Sequence, residues 1–195
     1  MAHAIRIHQH GGPEVLRWEE VTVADPGPGE VRVRNTAIGL NFIDTYQRSG
    51  LYPMPLPFTC GSEGAGVVEA IGPKVKGLKV GDRVAYANPI GAYAEVLLRP
   101  ADKLVKIPAG VSDQTAAAMM LKGMTAWYLL RRTYKVKKGD TILVHAAAGG
   151  VGQILCQWGK HLGATVIGTV GSEGKVAAAK KAGAKHVIVA EREVV

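Results

Sequence analysis

The residues with the clearest chemical potential form the run Ala147-Ala148-Gly149-Gly150-Val151-Gly152. This run follows an apolar stretch at residues 141–146 and precedes apolar residues at helical spacing in residues 154–162. Small residues let a backbone approach a pyrophosphate closely, and the following helix N-terminus supplies N–H groups and partial positive charge. A glycine motif between a strand and a helix indicates a dinucleotide-binding turn, with a purely structural turn as the alternative.

The segment after the next predicted strand indicates which dinucleotide fits. The strand at residues 165–170 ends in Gly171-Ser172, with Lys175 close behind. Ser172 can donate to a 2′-phosphate and Lys175 can neutralise it, whereas a carboxylate would accept hydrogen bonds from the ribose and repel phosphate. Glu173, 21 residues past Gly152, argues for NADH, but we expect it to face solvent beyond the strand end. The segment favours NADPH.

Length and composition bound the class of protein. The 195 residues are 47% hydrophobic and 21% charged, which are globular values with room for one large domain or two small ones. Two cysteines 96 residues apart exclude a disulfide framework and a clustered zinc site. The first ten residues lack the apolar core of a signal peptide, and Lys122 interrupts the richest apolar stretch. We therefore expect a cytoplasmic protein without a membrane span.

The net charge of +8 is unevenly distributed. Residues 1–125 carry 13 basic and 12 acidic side chains, whereas residues 126–195 carry 11 basic and 4 acidic ones. A basic segment of this kind can meet the phosphates of nucleic acid or those of a nucleotide cofactor. Since the glycine motif lies in the basic part, we assign the charge to a cofactor and do not expect nucleic acid as a partner.

Residues 1–110 show the pattern of a mainly β domain. Short apolar or alternating runs separated by Gly and Pro predict strands at residues 30–34, 64–71, 82–86, 93–98 and 104–107. Residues 42–48 predict one short helix that ends before Gly50. Many short strands at close spacing are typical of a compact barrel or sandwich.

From Ser112 the pattern becomes helical and then alternates. Ser112 is a candidate N-cap for a helix through residues 116–120, and a second helix is predicted at residues 123–133. Strands at residues 141–146, 165–170 and 186–190 then alternate with helices, the second at residues 175–182. This β-α-β-α-β order predicts an α/β fold in which the first half of a doubly wound parallel sheet follows the β domain, with a boundary near residue 125.

At this point the residues resemble a known family. Gly139-Asp140-x-x-Leu143, the glycine motif, and Gln157-x-x-Lys160 together resemble the signature of zinc-free, zeta-crystallin-like quinone oxidoreductases of the medium-chain dehydrogenase/reductase superfamily. Residues 10–16, 39–52 and 121–130 agree with the same family. The resemblance covers the whole chain.

The resemblance implies a domain organisation and an activity. Residues 1–125 would be a GroES-like substrate domain, and residues 126–195 the N-terminal half of a Rossmann domain that binds NADPH. The activity would be zinc-independent transfer of hydride, or of single electrons, from NADPH to a quinone substrate. Tyr46 and Tyr52 are candidate donors to the quinone oxygen, with Asn41 beside them; packing in the core or at the rim is their alternative role.

The resemblance also implies the cofactor contacts, carried over position by position. The nicotinamide end would be lined by Asn41, Phe42, Ile43, Asp44, Thr45, Tyr46, Thr125 and Tyr128. The pyrophosphate would meet Gly149, Gly150, Val151 and Gly152, and the 2′-phosphate would meet Gly171, Ser172 and Lys175. Ala190 departs from the family, which often has Tyr there, and this predicts weaker NADPH affinity without a reversed preference.

No metal is expected. Asn41 stands where the zinc alcohol dehydrogenases of the same superfamily have a Cys ligand, and Ser62 stands where they have a His. Asp44 is expected to orient its neighbours, and His145 to be a hydrogen-bonded structural residue. Cys60 and Cys156 are expected to be small buried hydrophobes.

Two alternatives to a quinone reductase remain open. One is a zinc-free enone or enoyl reductase, and the other is a non-catalytic NADPH- or RNA-binding protein. A Rossmann domain needs about six strands, and three are predicted here. We therefore expect a truncated chain with little or no turnover of its own. A full-length relative would be a homodimer whose dimer edge is absent here.

Overall fold

The computed structural model describes residues 1–191. Contacts divide the chain into two compact units, Met1–Leu121 (unit 1) and Lys122–Val195 (unit 2). Unit 1 contains antiparallel sheets and unit 2 a parallel sheet, so the predicted α/β fold class is confirmed. The domain assignment at residue 125 stays a prediction. No helix in the described part of the chain is long and apolar enough to cross a membrane.

Unit 1 is built from two antiparallel sheets. One has the order β2-β1-β4 and the other the order β7-β3-β5-β6-β8. The strands are β1 Ala2–Ile7, β2 Arg17–Val21, β3 Glu30–Gly39, β4 Phe58–Thr59, β5 Glu63–Ile71, β6 Arg83–Ala87, β7 Val96–Pro100 and β8 Val105–Lys106. Charged and apolar residues alternate along β3, so that Val31 and Val33 are buried while Arg34 is exposed.

The sequence patterns missed the sheet β2-β1-β4 and misplaced one strand of the other sheet. β1, β2 and β4 were not predicted, and the strand expected at residues 93–98 begins only at Val96. Ala94 instead forms an isolated bridge with Ala4, and Tyr93 accepts a backbone hydrogen bond from Ile5. These residues pair with β1, which is remote in sequence, so local alternation placed them in the wrong strand.

Helix α1, Phe42–Ser49, confirms the predicted short helix. The Asp44 carboxylate accepts the backbone N–H of Asn41 at 2.9 Å, which satisfies a donor at the helix start. Gly50, with φ of +84°, ends the helix in the left-handed conformation that glycine adopts without strain.

Helix α2, Asp113–Tyr128, is one continuous helix, and the prediction of two helices was wrong. The Ser112 hydroxyl accepts the N–H of Thr115 at 3.1 Å, which confirms Ser112 as the N-cap. A single interior glycine such as Gly123 costs about 1 kcal/mol, too little to break a helix without Pro or a new cap. A π-helical turn at Leu129–Thr133 follows.

Unit 2 has the predicted β-α-β-α-β order. Its elements are β9 Thr141–Val144, α3 Gly150–His161, β10 Thr165–Val170, α4 Val176–Ala182 and β11 His186–Val189. The sheet is parallel with the order β11-β10-β9. Val144, Cys156 and Val166 lie in its core. The first strand is two residues shorter than predicted, because the chain turns at Ala146, whose φ is +49°.

Asp113 anchors the start of α2 to the larger sheet of unit 1. Its carboxylate accepts hydrogen bonds from Thr36 Oγ1 at 2.7 Å and from Arg83 Nε at 2.9 Å. The hydrogen bond from Thr36, followed by that from Arg83, lowers the pKa of Asp113 below its usual value. The stabilisation from this carboxylate is therefore present above the unfolded pKa of about 3.9 and is lost as the pH falls through the lower folded pKa.

We expect Asp113→Asn to reduce the free energy of unfolding near neutral pH, because the neutral amide loses the charge-assisted bond to Arg83. The difference from the wild type should shrink as urea unfolding is repeated at falling pH, down to about pH 3. Asp102→Asn, at a carboxylate whose side chain is 74% exposed, is the matched control. A difference that stays constant across this pH range would contradict the assignment.

Candidate functional site

The glycine motif of unit 2 forms a tight turn between β9 and α3. Gly149 N–H donates to the carbonyl of Ala146 at 2.7 Å, and α3 begins at the next residue. A Cβ added at Gly152 would lie 2.8 Å from the Ala147 Cα, closer than real Cβ atoms approach. Because Gly152 has no side chain, the first turn of α3 can pack directly against the end of β9. The N–H groups of this turn then lie at the carboxyl end of the sheet.

A cavity of about 270 Å³ opens beside this turn. Its lining comprises Ala146, Ala148, Gly149, Val170, Gly171, Gly174, Lys175 and Ala178. Three predicted cofactor residues, Gly149, Gly171 and Lys175, therefore meet at one place. A Cβ at Gly171 or at Gly174 would meet nothing within 4 Å, which leaves room for a ligand. Gly174 lies within the span 171–175 that was expected to meet the 2′-phosphate, whereas Ala178 was missed by the sequence analysis.

The residues predicted to contact the 2′-phosphate lie at the edge of the cavity, directly after β10. Ser172 precedes the 3₁₀ turn Glu173–Lys175, and its carbonyl accepts the N–H of Lys175 at 3.1 Å. Glu173 is exposed, as expected, and Lys175 is exposed as well. The site thus combines a cradle of small residues with a cationic side chain, and these features fit the phosphate-bearing end of NADPH.

In unit 1, the predicted substrate-side residues cluster at α1. The Phe42 and Tyr46 rings are perpendicular, with centroids 5.2 Å apart, and the Tyr46 and Tyr52 rings are 5.3 Å apart. Phe42 is 74% exposed and Tyr52 is 50% exposed. Ile43 is half-buried, and Thr45 uses its hydroxyl to bond the Phe42 carbonyl at 2.7 Å. The result is an aromatic surface that bears two phenolic hydroxyls.

Asp44 lies beneath this aromatic surface and is buried. Besides the N–H of Asn41, it accepts hydrogen bonds from the hydroxyl of Tyr93 at 2.8 Å and that of Ser62 at 3.3 Å. Burial, reinforced by the hydrogen bond to Asp44, raises the pKa of Tyr93 far above its usual value. The Tyr93 hydroxyl therefore stays protonated and is committed to Asp44, which orients its neighbours as expected.

Glu63 is the second buried carboxylate of unit 1 and was missed by the sequence analysis. It accepts hydrogen bonds from Asn41 Nδ2 at 2.9 Å and from the Leu121 N–H at 2.7 Å. A sequence signal existed, since a glutamate in the otherwise small and apolar run 60–68 requires buried partners.

The other two predicted nicotinamide-side residues lie in unit 2, on the last turns of α2. Thr125 is half-buried, and Tyr128 is 47% exposed. The neighbouring Trp127 ring packs under the Arg132 guanidinium, 5.7 Å from the ring centroid. Each unit therefore presents its own part of the predicted cofactor contacts.

His145, the two cysteines and Ala190 have environments that the structure defines. His145 Nδ1 lies 3.2 Å from Thr169 Oγ1, in agreement with the expected hydrogen-bonded role. Cys60 and Cys156 are buried, and burial raises the pKa of both thiols, which disfavours the reactive thiolate. Ala190 is exposed after β11, and its N–H donates to Val170 at 2.9 Å.

The positions that resemble zinc ligands hold groups unsuited to zinc. Asn41 directs its amide nitrogen to Glu63, and Ser62 directs its hydroxyl to Asp44. Within residues 1–191, no group of three or more His, Cys, Asp or Glu side chains could hold a metal ion.

Gly152→Ala is expected to destabilise the protein by about 1–3 kcal/mol, because the new methyl group overpacks the contact between α3 and the β9 turn. Urea unfolding measures this change. Gly174→Ala is the matched control, since a Cβ there meets nothing within 4 Å. Equal stability of the two variants would show that α3 does not require this close approach.

Comparison with known proteins agrees with this architecture. Residues 27–109 match the alcohol dehydrogenase GroES-like domain family, and residues 150–195 match the zinc-binding dehydrogenase family. A quinone oxidoreductase of Pseudomonas aeruginosa is 58% identical over 190 residues, which are 96% of this chain and 58% of that protein. A 2-haloacrylate reductase of a Burkholderia species is 53% identical over 96% of this chain and 59% of its own length.

The similarity extends to solved structures. The structure of Escherichia coli quinone oxidoreductase complexed with NADPH matches with a TM-score of 0.96 and 55% identity, over 98% of this chain and 60% of that chain. The present chain thus spans about 58% of the length of the curated relatives it matches. By its two domain families, its fold and these relatives, the chain is similar to the quinone oxidoreductases of the medium-chain dehydrogenase/reductase superfamily.

Proposed function

We propose that the chain is the substrate-domain and cofactor-binding portion of an NADPH-dependent quinone oxidoreductase. The observation that carries the proposal is the cavity at the carboxyl ends of β9 and β10, where Gly149, Gly171 and Gly174 leave room beside Lys175. The Escherichia coli relative whose structure contains NADPH is 55% identical. In domain terms, residues 1–125 would form the substrate domain and residues 126–195 the start of the nucleotide domain.

Unit 2 would hold the phosphates. The N–H groups of Gly150, Val151 and Gly152 start α3 and have no earlier carbonyl of the helix to bond, so they suit a pyrophosphate. Lys175 and the Ser172 hydroxyl would meet the 2′-phosphate. When bound, NADPH supplies the hydride, and the protein contributes orientation and exclusion of water.

Unit 1 would supply the substrate side. The Tyr46 and Tyr52 hydroxyls are the donors that would meet a quinone oxygen, because the hydroxyl of Tyr93 is committed to Asp44. Asn41 would meet the nicotinamide end, together with residues 42–46 and, from unit 2, Thr125 and Tyr128. Phe42 would cover the reacting atoms with an apolar surface that excludes water. For the whole protein we propose a cytoplasmic homodimer.

The proposal is tested by ligand binding and by turnover. NADPH should raise the melting temperature of the purified chain, and NADH should raise it less. Turnover by this chain is expected to be slight, and whatever NADPH oxidation it supports should be faster with 1,4-benzoquinone than with 2-chloroacrylate, the kind of substrate that the name of the Burkholderia relative implies. No thermal shift with NADPH would contradict the proposal, and turnover with the acrylate alone would reassign the substrate.

Lys175→Gln should weaken NADPH binding by about tenfold and leave NADH binding unchanged, because only NADPH carries the 2′-phosphate that this ammonium group would neutralise. Titration of each nucleotide by isothermal calorimetry measures both affinities. Lys181→Gln is the matched control, since Lys181 is an exposed lysine at the end of α4 outside the cavity lining. Equal losses for the two nucleotides would remove the basis for NADPH preference.

A further inference from the structure

The carboxylate of Glu63, the first residue of β5, joins two segments that are distant in sequence. Its Oε1 accepts from Asn41 Nδ2 at 2.9 Å, and its Oε2 accepts from the Leu121 N–H at 2.7 Å. The side chain is fully buried, so a donor at each oxygen offsets the cost of removing the carboxylate from water. Glu63 therefore bridges the start of α1 and the middle of α2.

The contact between Glu63 and α2 requires a residue without a side chain at the end of β3. An N–H inside a helix ordinarily donates to the carbonyl four residues earlier, which for Leu121 is that of Ala117. The Glu63 carboxylate reaches the backbone hydrogen bonds of α2 next to Gly39, the last residue of β3. A Cβ on Gly39 would lie 2.6 Å from the Ala117 oxygen and would also collide with the Glu63 side chain. Gly39 thus leaves space for Glu63 against the helix.

The contact with Asn41 determines which way its amide faces. A carboxylate only accepts hydrogen bonds, so Asn41 must present its Nδ2 to Glu63 and carry its acceptor, Oδ1, on the opposite side of the amide. A glutamine at position 63 would remove this constraint, because its own amide can donate or accept. The charge of Glu63 therefore favours the orientation in which Asn41 Oδ1 meets the Asp44 N–H in the capping box of α1 and keeps a second lone pair for another donor.

We propose that Glu63 is a positioning residue that holds Asn41 with Oδ1 as the acceptor for a donor at the nicotinamide end of NADPH. The inference rests on the proposed function, because the cofactor gives the Asn41 oxygen its role. Glu63 acts through Asn41 and touches no ligand itself. The adenosine end is held by other residues, so its binding should not depend on Glu63.

Three variants test this inference: Glu63→Gln, Asn41→Asp, and the double variant with both changes. In Glu63→Gln two amides face each other without a fixed orientation, and in Asn41→Asp two carboxylates face each other. In the double variant, the new amide of Glu63→Gln can accept from the Leu121 N–H and donate to the new carboxylate of Asn41→Asp, whose second oxygen remains an acceptor. The pair of residues then has the same total charge as in the wild type.

Binding is measured for NADPH and for 2′-phospho-ADP-ribose, the same molecule without its nicotinamide. Each single variant should weaken NADPH binding by about tenfold and leave binding of the fragment unchanged, and the double variant should regain most of the loss. Unchanged NADPH binding in Glu63→Gln would overturn the inference. Equal losses for NADPH and the fragment would overturn it as well, because they would show a merely structural role.

A measurement without ligand separates this inference from the proposed function. In the NMR spectrum of the wild type, the side-chain NH₂ of Asn41, identified by its disappearance in Asn41→Asp, should exchange slowly with solvent. In Glu63→Gln this protection should fall by about tenfold or more. An unprotected Asn41 amide in the wild type would overturn the positioning role. Failure of the wild type to bind NADPH would instead contradict the proposed function.

Discussion

The burial of two carboxylates, Asp44 and Glu63, is the constraint on which the structure around α1 depends. Neither can lie in the interior without hydrogen-bond donors, and the donors come from separate parts of the chain. Asp44 takes them from Asn41, Ser62 and Tyr93, and Glu63 takes them from Asn41 and Leu121. Asn41 donates a hydrogen bond to each of the two carboxylates. The start of α1 is thereby held from two sides, while its aromatic residues stay exposed.

In unit 2 the shape of the glycine turn and its cavity depends on residues that lack side chains, and not on buried polar groups as around α1. Gly152 allows α3 to approach the end of β9, and Gly171 and Gly174 leave the neighbouring cavity open. Among residues 1–191, Lys175 is the one charged residue that lines that cavity. The two units therefore differ in what would hold a ligand: backbone N–H groups and one cation in unit 2, and oriented polar and aromatic side chains in unit 1.

In unit 1, the positions that resemble zinc ligands hold an amide and a hydroxyl in place of Cys and His. Asn41 Nδ2 donates to Glu63, and the Ser62 hydroxyl donates to Asp44. The excess of basic residues lies in the part of the chain that carries the glycine motif. There the proposed cofactor would bring phosphate charge that basic side chains can neutralise.

Features encoded over a few neighbouring residues were predictable from the sequence. The β-α-β-α-β order, the glycine turn, the Ser112 cap and helix α1 all follow from hydrophobic period, turn residues and capping, which act locally. The continuous helix α2 was misread because one glycine was given more weight than its energetic cost supports.

Only the tertiary structure showed which distant residues meet. Glu63 bonds a residue 22 positions before it and another 58 positions after it, and Tyr93 lies 49 positions from Asp44. The pairing of β1 with residues 93–94 is equally remote. Such contacts leave no periodic trace in the sequence, because they form only when the sheets close and buried polar groups must find partners. The sequence by itself thus determined the elements and the nucleotide turn, and the packed fold decided the hydrogen-bond network that orients Asn41.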